Sequence, residues 1–337
     1  MNRTAVPPPV TMVLDAADAW LPMRMEAVEE RLRLLVEGHG DDLAADAGAT
    51  LAAGGKRLRP MLVLLCAGPG AGEPAVRAAA AIELVHMATL VHDDVLDAAP
   101  LRRGRPTVVA QSGRDRALAV GDLLFSRAFA ELGHDGSERQ VELLSGASVA
   151  LALGELAQRR DAFDISISAK RYLDRCGLKT ARLFECACQI GRAGKGGELA
   201  ANSAEPDLSL ERALQTFGRE IGLAFQLLDD VLDVTGPPER TGKARGTDLL
   251  DGTVTLPLIL AREEDSSLAK IDLRELDAYG AVDVCDRVAA TGALERVRVD
   301  ARGRVETAKH ALVTSGLRPE QRQLLDLVAD GVVERYS

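Results

Sequence analysis

The chain has 337 residues, a formal charge of −10, and 47% apolar but only 3% aromatic residues. That length suits one large domain with a substantial core, and the negative charge excludes a general polyanion-binding surface, which needs a basic face. Any core or pocket must be built mainly from Ala, Leu and Val, a composition that favours helices.

Residues 1–12, with Pro7-Pro8-Pro9, read as a disordered arm outside the fold, and residues 13–337 as one domain. From about residue 12, apolar positions recur at intervals of three and four, while strand-like alternation is nearly absent. Breaks at Gly68–Gly72, Ala98–Pro106, Gly133–Gly136, Gly194–Pro206 and Gly236–Gly252 leave long helices over about 74–97, 114–132, 137–162, 168–193 and 208–235, then a shorter C-terminal set. The expected fold is all-α. No stretch approaches the roughly 20 uninterrupted apolar residues of a membrane span. The five cysteines, Cys66, Cys176, Cys186, Cys188 and Cys285, show no metal-ligand spacing and follow no secretory signal. A soluble, cytoplasmic protein with reduced thiols is expected.

Taken in chain order, the first chemical segment is Gly54-Gly55-Lys56-Arg57-Leu58-Arg59-Pro60. Its glycines permit close backbone approach and its cations suit a diphosphate cradle, although alone it is as readily an ordinary helix boundary. Next comes Asp93-Asp94-Val95-Leu96-Asp97, echoed by Asp229-Asp230-Val231-Leu232-Asp233. Residues i and i+4 share a helix face, so Asp93 points with Asp97 and Asp229 with Asp233. Stacked carboxylates at a helix C-terminus repel one another and oppose the macrodipole unless a cation is bound. Hard oxygen donors without neighbouring His or Cys suit Mg²⁺ sharing its shell with phosphate. One such cluster could be a solvated helix end; two, each behind an apolar approach, point to a site. Leu101-Arg102-Arg103-Gly104-Arg105-Pro106 follows the first cluster, where a basic turn can meet the same anion. Lys179-Thr180 lies in an Ala-, Leu- and Cys-rich helix, and Lys243 lies in a Gly-containing loop suited to a lid.

Together these segments resemble the trans-isoprenyl diphosphate synthases, the polyprenyl synthetase family, over roughly residues 20 to 335, most like the bacterial medium- and long-chain members. The resemblance rests on residues 54–60, the run from Glu83 to Thr107, Gly121-Asp122, Gly154-Glu155, Lys179-Thr180, residues 225–233 and the pattern G-K-x-x-G-x-D at 242–248. It implies a single helical bundle with a central cavity between long helices. It also implies head-to-tail (1′-4) condensation of isopentenyl diphosphate with an allylic diphosphate (dimethylallyl, geranyl, farnesyl or geranylgeranyl). Up to three Mg²⁺ ions per site, with Mn²⁺ as a substitute, would be held by Asp93, Asp94, Asp97, Asp229, Asp230 and Asp233. Arg102, Lys179, Thr180, Gln226 and Lys243 match positions that hold the allylic diphosphate. Lys56, Arg59, His86 and Arg103 match the isopentenyl diphosphate site. A homodimer is implied. Where the family often has G-K-x-T-L-P, this chain has Gly252-Thr253-Val254-Thr255-Leu256-Pro257, so a lysine is missing at Thr253.

Family resemblance also makes product length a matter of how far the chain extends below the first aspartates. Ala88 and Thr89, one turn below Asp93, are small, which resembles enzymes with products in the C30 to C45 range; Phe125 and Phe129 are candidate floor residues or ordinary core aromatics. The alternatives are a geranylgeranyl (C20) or farnesyl (C15) synthase. More remote are a class I terpene cyclase, disfavoured by the second D-D-x-x-D, and a non-catalytic subunit of a heteromeric synthase, disfavoured by retention of both motifs.

Overall fold

The computed structural model describes residues 8–37, 41–134, 138–194, 208–236 and 244–334. Helix α1 (Pro8–Ala16) precedes α2 (Trp20–Val36), α3 (Asp41–Ala52), α4 (Leu58–Ala67) and α5 (Gly72–Leu96). The arm expected over residues 1–12 is thus helical from Pro8, and α1 packs on the C-terminal helix. Residues 1–7 lie outside the described residues. After α5 come α6 (Val108–Ser112), α7 (Arg114–His134), α8 (Glu138–Asp161), α9 (Ala169–Cys176), α10 (Arg182–Ala193) and α11 (Leu208–Thr235). The set closes with α12 (Thr247–Leu250), α13 (Leu256–Glu264), α14 (Ala278–Ala289), α15 (Ala293–Val313) and α16 (Pro319–Glu334). The five long helices read from periodicity are present to within about two residues, except that 168–193 is divided by a π-turn at Gly177–Ala181.

Helix α5 is apolar around most of its circumference, with Ala78–Ala81, Ile82, Leu84 and Val85 all buried, so it runs through the core. It packs against α2, α4 and α7; α10 packs against α4, α8 and α11, and α11 against α15. Small and aliphatic side chains fill the space between them, joined by the rings of Tyr172, Phe184 and Phe217. Each fully buried Leu or Phe contributes about 1.5–3 kcal/mol.

By length and composition, residues 69–96 and 138–161 are apolar enough to cross a membrane, against the reading of the sequence. Most of the first stretch is buried inside the fold, as for a core helix, whereas less than half of the second is. All five cysteines are buried and unpaired.

The expected break at Ala98–Pro106 holds a two-stranded hairpin, β1 (Leu101–Arg102) and β2 (Arg105–Pro106), with Arg102 opposite Arg105. Its two-residue turn, Arg103-Gly104, has φ of 53° and 73°. Positive φ at both central residues matches the twist of a tight hairpin and favours glycine at the second.

Candidate active site

Helices α5, α8, α9, α11 and the segment around α12 surround a cleft of about 260 Å³. Asp93 and Asp97 reach it from α5 and Asp229 and Asp230 from α11, so the two aspartate clusters face one space. The remaining two carboxylates of the expected metal set do not line it. Asp94 is one residue, and hence about 100° around the helix, from Asp93; it turns to Arg102, whose Nε donates to it at 2.7 Å. Asp233 accepts from the Asp248 backbone N–H at 3.4 Å, while its own carbonyl accepts from Gly246 N–H. It fastens the segment after α11 and is not among the residues that line the cleft.

On the α5 side the carboxylates are bridged by cations. Lys179 Nζ pairs with Glu155 and stands 3.9 Å from Asp93, while Arg159 pairs with Asp97 and donates from Nε to Glu155 at 2.8 Å. Burial, against the pull of Lys179 and with a further push from Glu155 and Asp97, raises the Asp93 carboxyl to about 6. Glu155 is also disfavoured by burial, but Lys179 and Arg159 outweigh it and hold its carboxyl below the ordinary value.

Lys179 reaches the cleft because of two local features. The π-turn Gly177–Ala181 inserts a residue into the helical ladder between α9 and α10, a distortion common at functional sites. Gly154 then lets α8 abut that turn: a Cβ there would lie 2.6 Å from the Lys179 backbone nitrogen. This contact gives the Gly154-Glu155 motif its physical meaning.

On the α11 side, Thr180 donates to Gln226 Oε1 at 2.7 Å, and Gln226 Nε2 donates to Asp230 at 2.8 Å. Tyr172 donates its hydroxyl to the other Asp230 oxygen. Burial and the neighbouring Asp248 push the Asp230 carboxyl well up, against these two donors. Arg175, stacked by Tyr172, donates to the Val254 carbonyl at 2.8 Å and lies 3.5 Å from buried Asp161. Cys176 also lines the cleft, but burial pushes its thiol up to about 12, so it is a neutral wall.

A second, smaller pocket of about 40 Å³ adjoins the cleft, and both are lined by Leu90 and Arg102. It contains Arg57, His86, Arg102, Arg103 and Arg105. Arg103 bonds back to the Gly54 carbonyl, drawing the hairpin over the Gly54-Gly55 segment. Buried Arg57 is held by Glu83 at 2.7 Å and Glu29 at 2.6 Å. Burial, then the charges of Arg59, Arg103, Arg102 and Arg57, hold His86 well below the usual imidazole range, so it stays neutral among the arginines of this pocket.

The structure therefore gathers Arg102, Lys179, Thr180 and Gln226 at the cleft and Arg102, Arg103 and His86 at the pocket. Lys56 and Arg59 line neither, and Arg59 lies over the Phe184 ring at 4.3 Å. Lys243 lies outside the described residues. Ala88, Thr89, Phe125 and Phe129 also line neither space. Ala88 is fully buried, while Phe125 stacks on His92 with centroids 5.8 Å apart. Residues not read as site residues but found at the cleft include Gln158, Arg159, Tyr172, Arg175, Cys176, Asp248 and Asp251, and Thr253, where the family pattern has a lysine, lines it as well. The i, i+4 pair Glu155–Arg159 was a detectable signal; the approach of Tyr172 to Asp230 was not.

Among the described residues, no group of three or more His, Cys, Asp or Glu side chains is placed to hold a metal ion alone. The donors are nevertheless hard carboxylate oxygens on two facing walls of a cleft edged by cations. That set fits a hard divalent cation sharing its shell with phosphate oxygens.

The polyprenyl synthetase family profile matches residues 42–282. Heptaprenyl diphosphate synthase component 2 of Geobacillus stearothermophilus is 39% identical over 289 residues, covering 85% of this chain and 88% of the relative. Octaprenyl diphosphate synthase of Escherichia coli K12 is 36% identical over 281 residues, covering 81% of this chain and 84% of the relative. A crystal structure of polyprenyl synthase from Caulobacter crescentus, complexed with calcium and isoprenyl diphosphate, superposes with a TM-score of 0.86 at 33% identity, covering 97% of this chain and 98% of that one.

Proposed function

The chain belongs to the polyprenyl synthetase family and is a prenyl diphosphate synthase, and on that premise we propose that it lengthens an all-trans allylic diphosphate to C30–C45 by Mg²⁺-dependent addition of isopentenyl diphosphate. The observation that carries the site assignment is the shared wall: an acidic cleft and a cationic pocket meet at Leu90 and Arg102. Two diphosphates bound there would meet tail to head across an apolar residue.

In this reading, Asp93, Asp97, Asp229 and Asp230 would hold the metal with the allylic diphosphate, and Asp94 would act through Arg102. The bound cations would neutralise charge growing on the departing diphosphate. Lys179, Thr180 and Gln226 orient that group, and Arg102 meets it from the hairpin. Arg57, Arg103 and neutral His86 bind the isopentenyl diphosphate, with Arg59 adding its charge from behind. The allylic C1–O bond breaks, the isopentenyl C4 bonds to C1, and the proton lost from C2 passes to the released diphosphate. No neighbouring general base is required.

Relatives named for heptaprenyl and octaprenyl products, together with small Ala88 and Thr89 below Asp93, support a long product. The test is incubation of the purified protein with Mg²⁺, isopentenyl diphosphate and each allylic primer, with products identified by mass spectrometry. No condensation with any primer would sink the enzymatic reading, and a C15 or C20 end point would sink the long-chain one.

A homodimer and a cytoplasmic location belong to the same proposal. Val149, Leu153 and Leu156 stand 58%, 51% and 62% exposed on one face of α8, an apolar stripe that a second copy would cover. Five unpaired thiols agree with a reducing compartment. The relative named as a component makes a hetero-oligomer the rival. Light scattering of the protein purified alone, compared with its Leu153→Glu variant, separates the two.

A further inference from the structure

The cleft is lined by six carboxylates and four cationic side chains among the described residues. The cations are not equivalent. Arg175 is 3% exposed and committed to Asp161 and the Val254 carbonyl, and Arg102 is engaged with Asp94 where the cleft meets the second pocket. Lys179 and Arg159 share one carboxylate, Glu155, and through it form a chain of ion pairs from Asp93 to Asp97. Arg159 is the most solvent-exposed of the four, at 41%, and its partner Asp97 is 31% exposed. An ion pair that open to water is weakly held and exchanges readily. A guanidinium also prefers the bidentate geometry of a phosphate oxygen pair.

Thr253 lines the same cleft with a neutral side chain, at the position where the resemblance to the family implies a lysine. Building on the synthase assignment, we propose that Arg159 is an exchangeable cation of the allylic-diphosphate subsite. Glu155 keeps it beside Asp97, and it turns onto the diphosphate when substrate enters, supplying from α8 the positive charge that the chain lacks at Thr253. Arg159 lies at i+4 from Glu155, so Glu155 can hold the guanidinium at Nε while its terminal nitrogens change partner.

The test is calorimetric titration of inorganic diphosphate in Mg²⁺ into the wild type, Arg159→Leu, Arg159→Lys and the double variant Arg159→Leu/Thr253→Lys, alongside KM for farnesyl diphosphate and for isopentenyl diphosphate. Arg159→Leu should weaken inorganic diphosphate roughly tenfold or more, the effect of losing a charge-assisted contact. It should raise the allylic KM in proportion and leave the isopentenyl KM within about twofold. Arg159→Lys should recover part of the affinity, and Thr253→Lys should restore it in the Leu background. Unchanged diphosphate affinity in Arg159→Leu, or no rescue by Thr253→Lys, overturns the assignment. A structural clip would instead lower the melting temperature and raise both KM values together, and that pattern also counts against it. Because diphosphate binding is read without turnover, an inactive wild type would remove the synthase reading while leaving this result interpretable.

Discussion

The hydroxyl of Tyr172, in α9, donates to the buried carboxylate of Asp230, in α11, across the wall of the cleft. Gln226 supplies the carboxylate's second side-chain donor, so the oxygens are aimed by two neighbours from different helices. Removing one donor raises the cost of keeping Asp230 ionised, and a protonated Asp230 is a poor cation ligand. Tyr172→Phe should therefore raise the Mg²⁺ concentration needed for half-maximal activity severalfold and lower stability by about 1–3 kcal/mol. Metal titration of the condensation rate and urea denaturation check the two parts; an unchanged metal requirement would confine Tyr172 to packing.

Asp93 gives a pH prediction with a definite sign. Burial raises its carboxyl from 3.8 to about 6, so the metal-free folded state holds this proton more tightly than the unfolded chain. The stability Asp93 contributes is fully present below about 3.8 and is lost as pH rises through about 6. A divalent cation competes with that proton. Mg²⁺ with inorganic diphosphate should raise the melting temperature more at about pH 8 than at about pH 5, with the change centred near 6. Thermal melts across this range test it, and Asp93→Asn should flatten the step.

Gly154→Ala would drive a Cβ to within 2.6 Å of the Lys179 backbone nitrogen. The expected cost is about 1–3 kcal/mol, with a fall in kcat greater than the stability loss explains, because the π-turn carrying Lys179 must move. Gly133→Ala in α7, where nothing lies within 4 Å, should be neutral or stabilising by up to about 1 kcal/mol. Chemical denaturation and steady-state kinetics of the pair decide the matter.

Product length should respond at Thr89, which is half-buried, and not cleanly at Ala88, which is fully buried and would be overpacked by a larger side chain. Thr89→Phe should shorten the main product by one or more isoprene units, and Phe129→Ala should lengthen it. Mass spectrometry of the prenyl products measures both. An unaltered distribution in Phe129→Ala would remove that residue from the floor.

Periodicity and two aspartate clusters made the long helices, the all-α architecture and the chemistry of the site legible in the sequence, because helical spacing and hard-donor composition are local properties of the chain. Arg103-Gly104 was equally readable as a basic turn. Tertiary packing alone decided which carboxylates share a space: Asp94 rotates to Arg102 and Asp233 is drawn to the Asp248 backbone, while Asp93, Asp97, Asp229 and Asp230 meet across the cleft. It also decided that Tyr172 finds Asp230, and that Glu155 joins Lys179 to Arg159. Tyr172 and Asp230 are 58 residues apart and Glu155 and Lys179 are 24 apart; no helical period links positions so distant. Those pairs exist because the π-turn after α9 packs against both α8 and α11, and the glycines that let the backbones approach there, Gly154 in α8 and Gly222 in α11, set which polar groups come within reach.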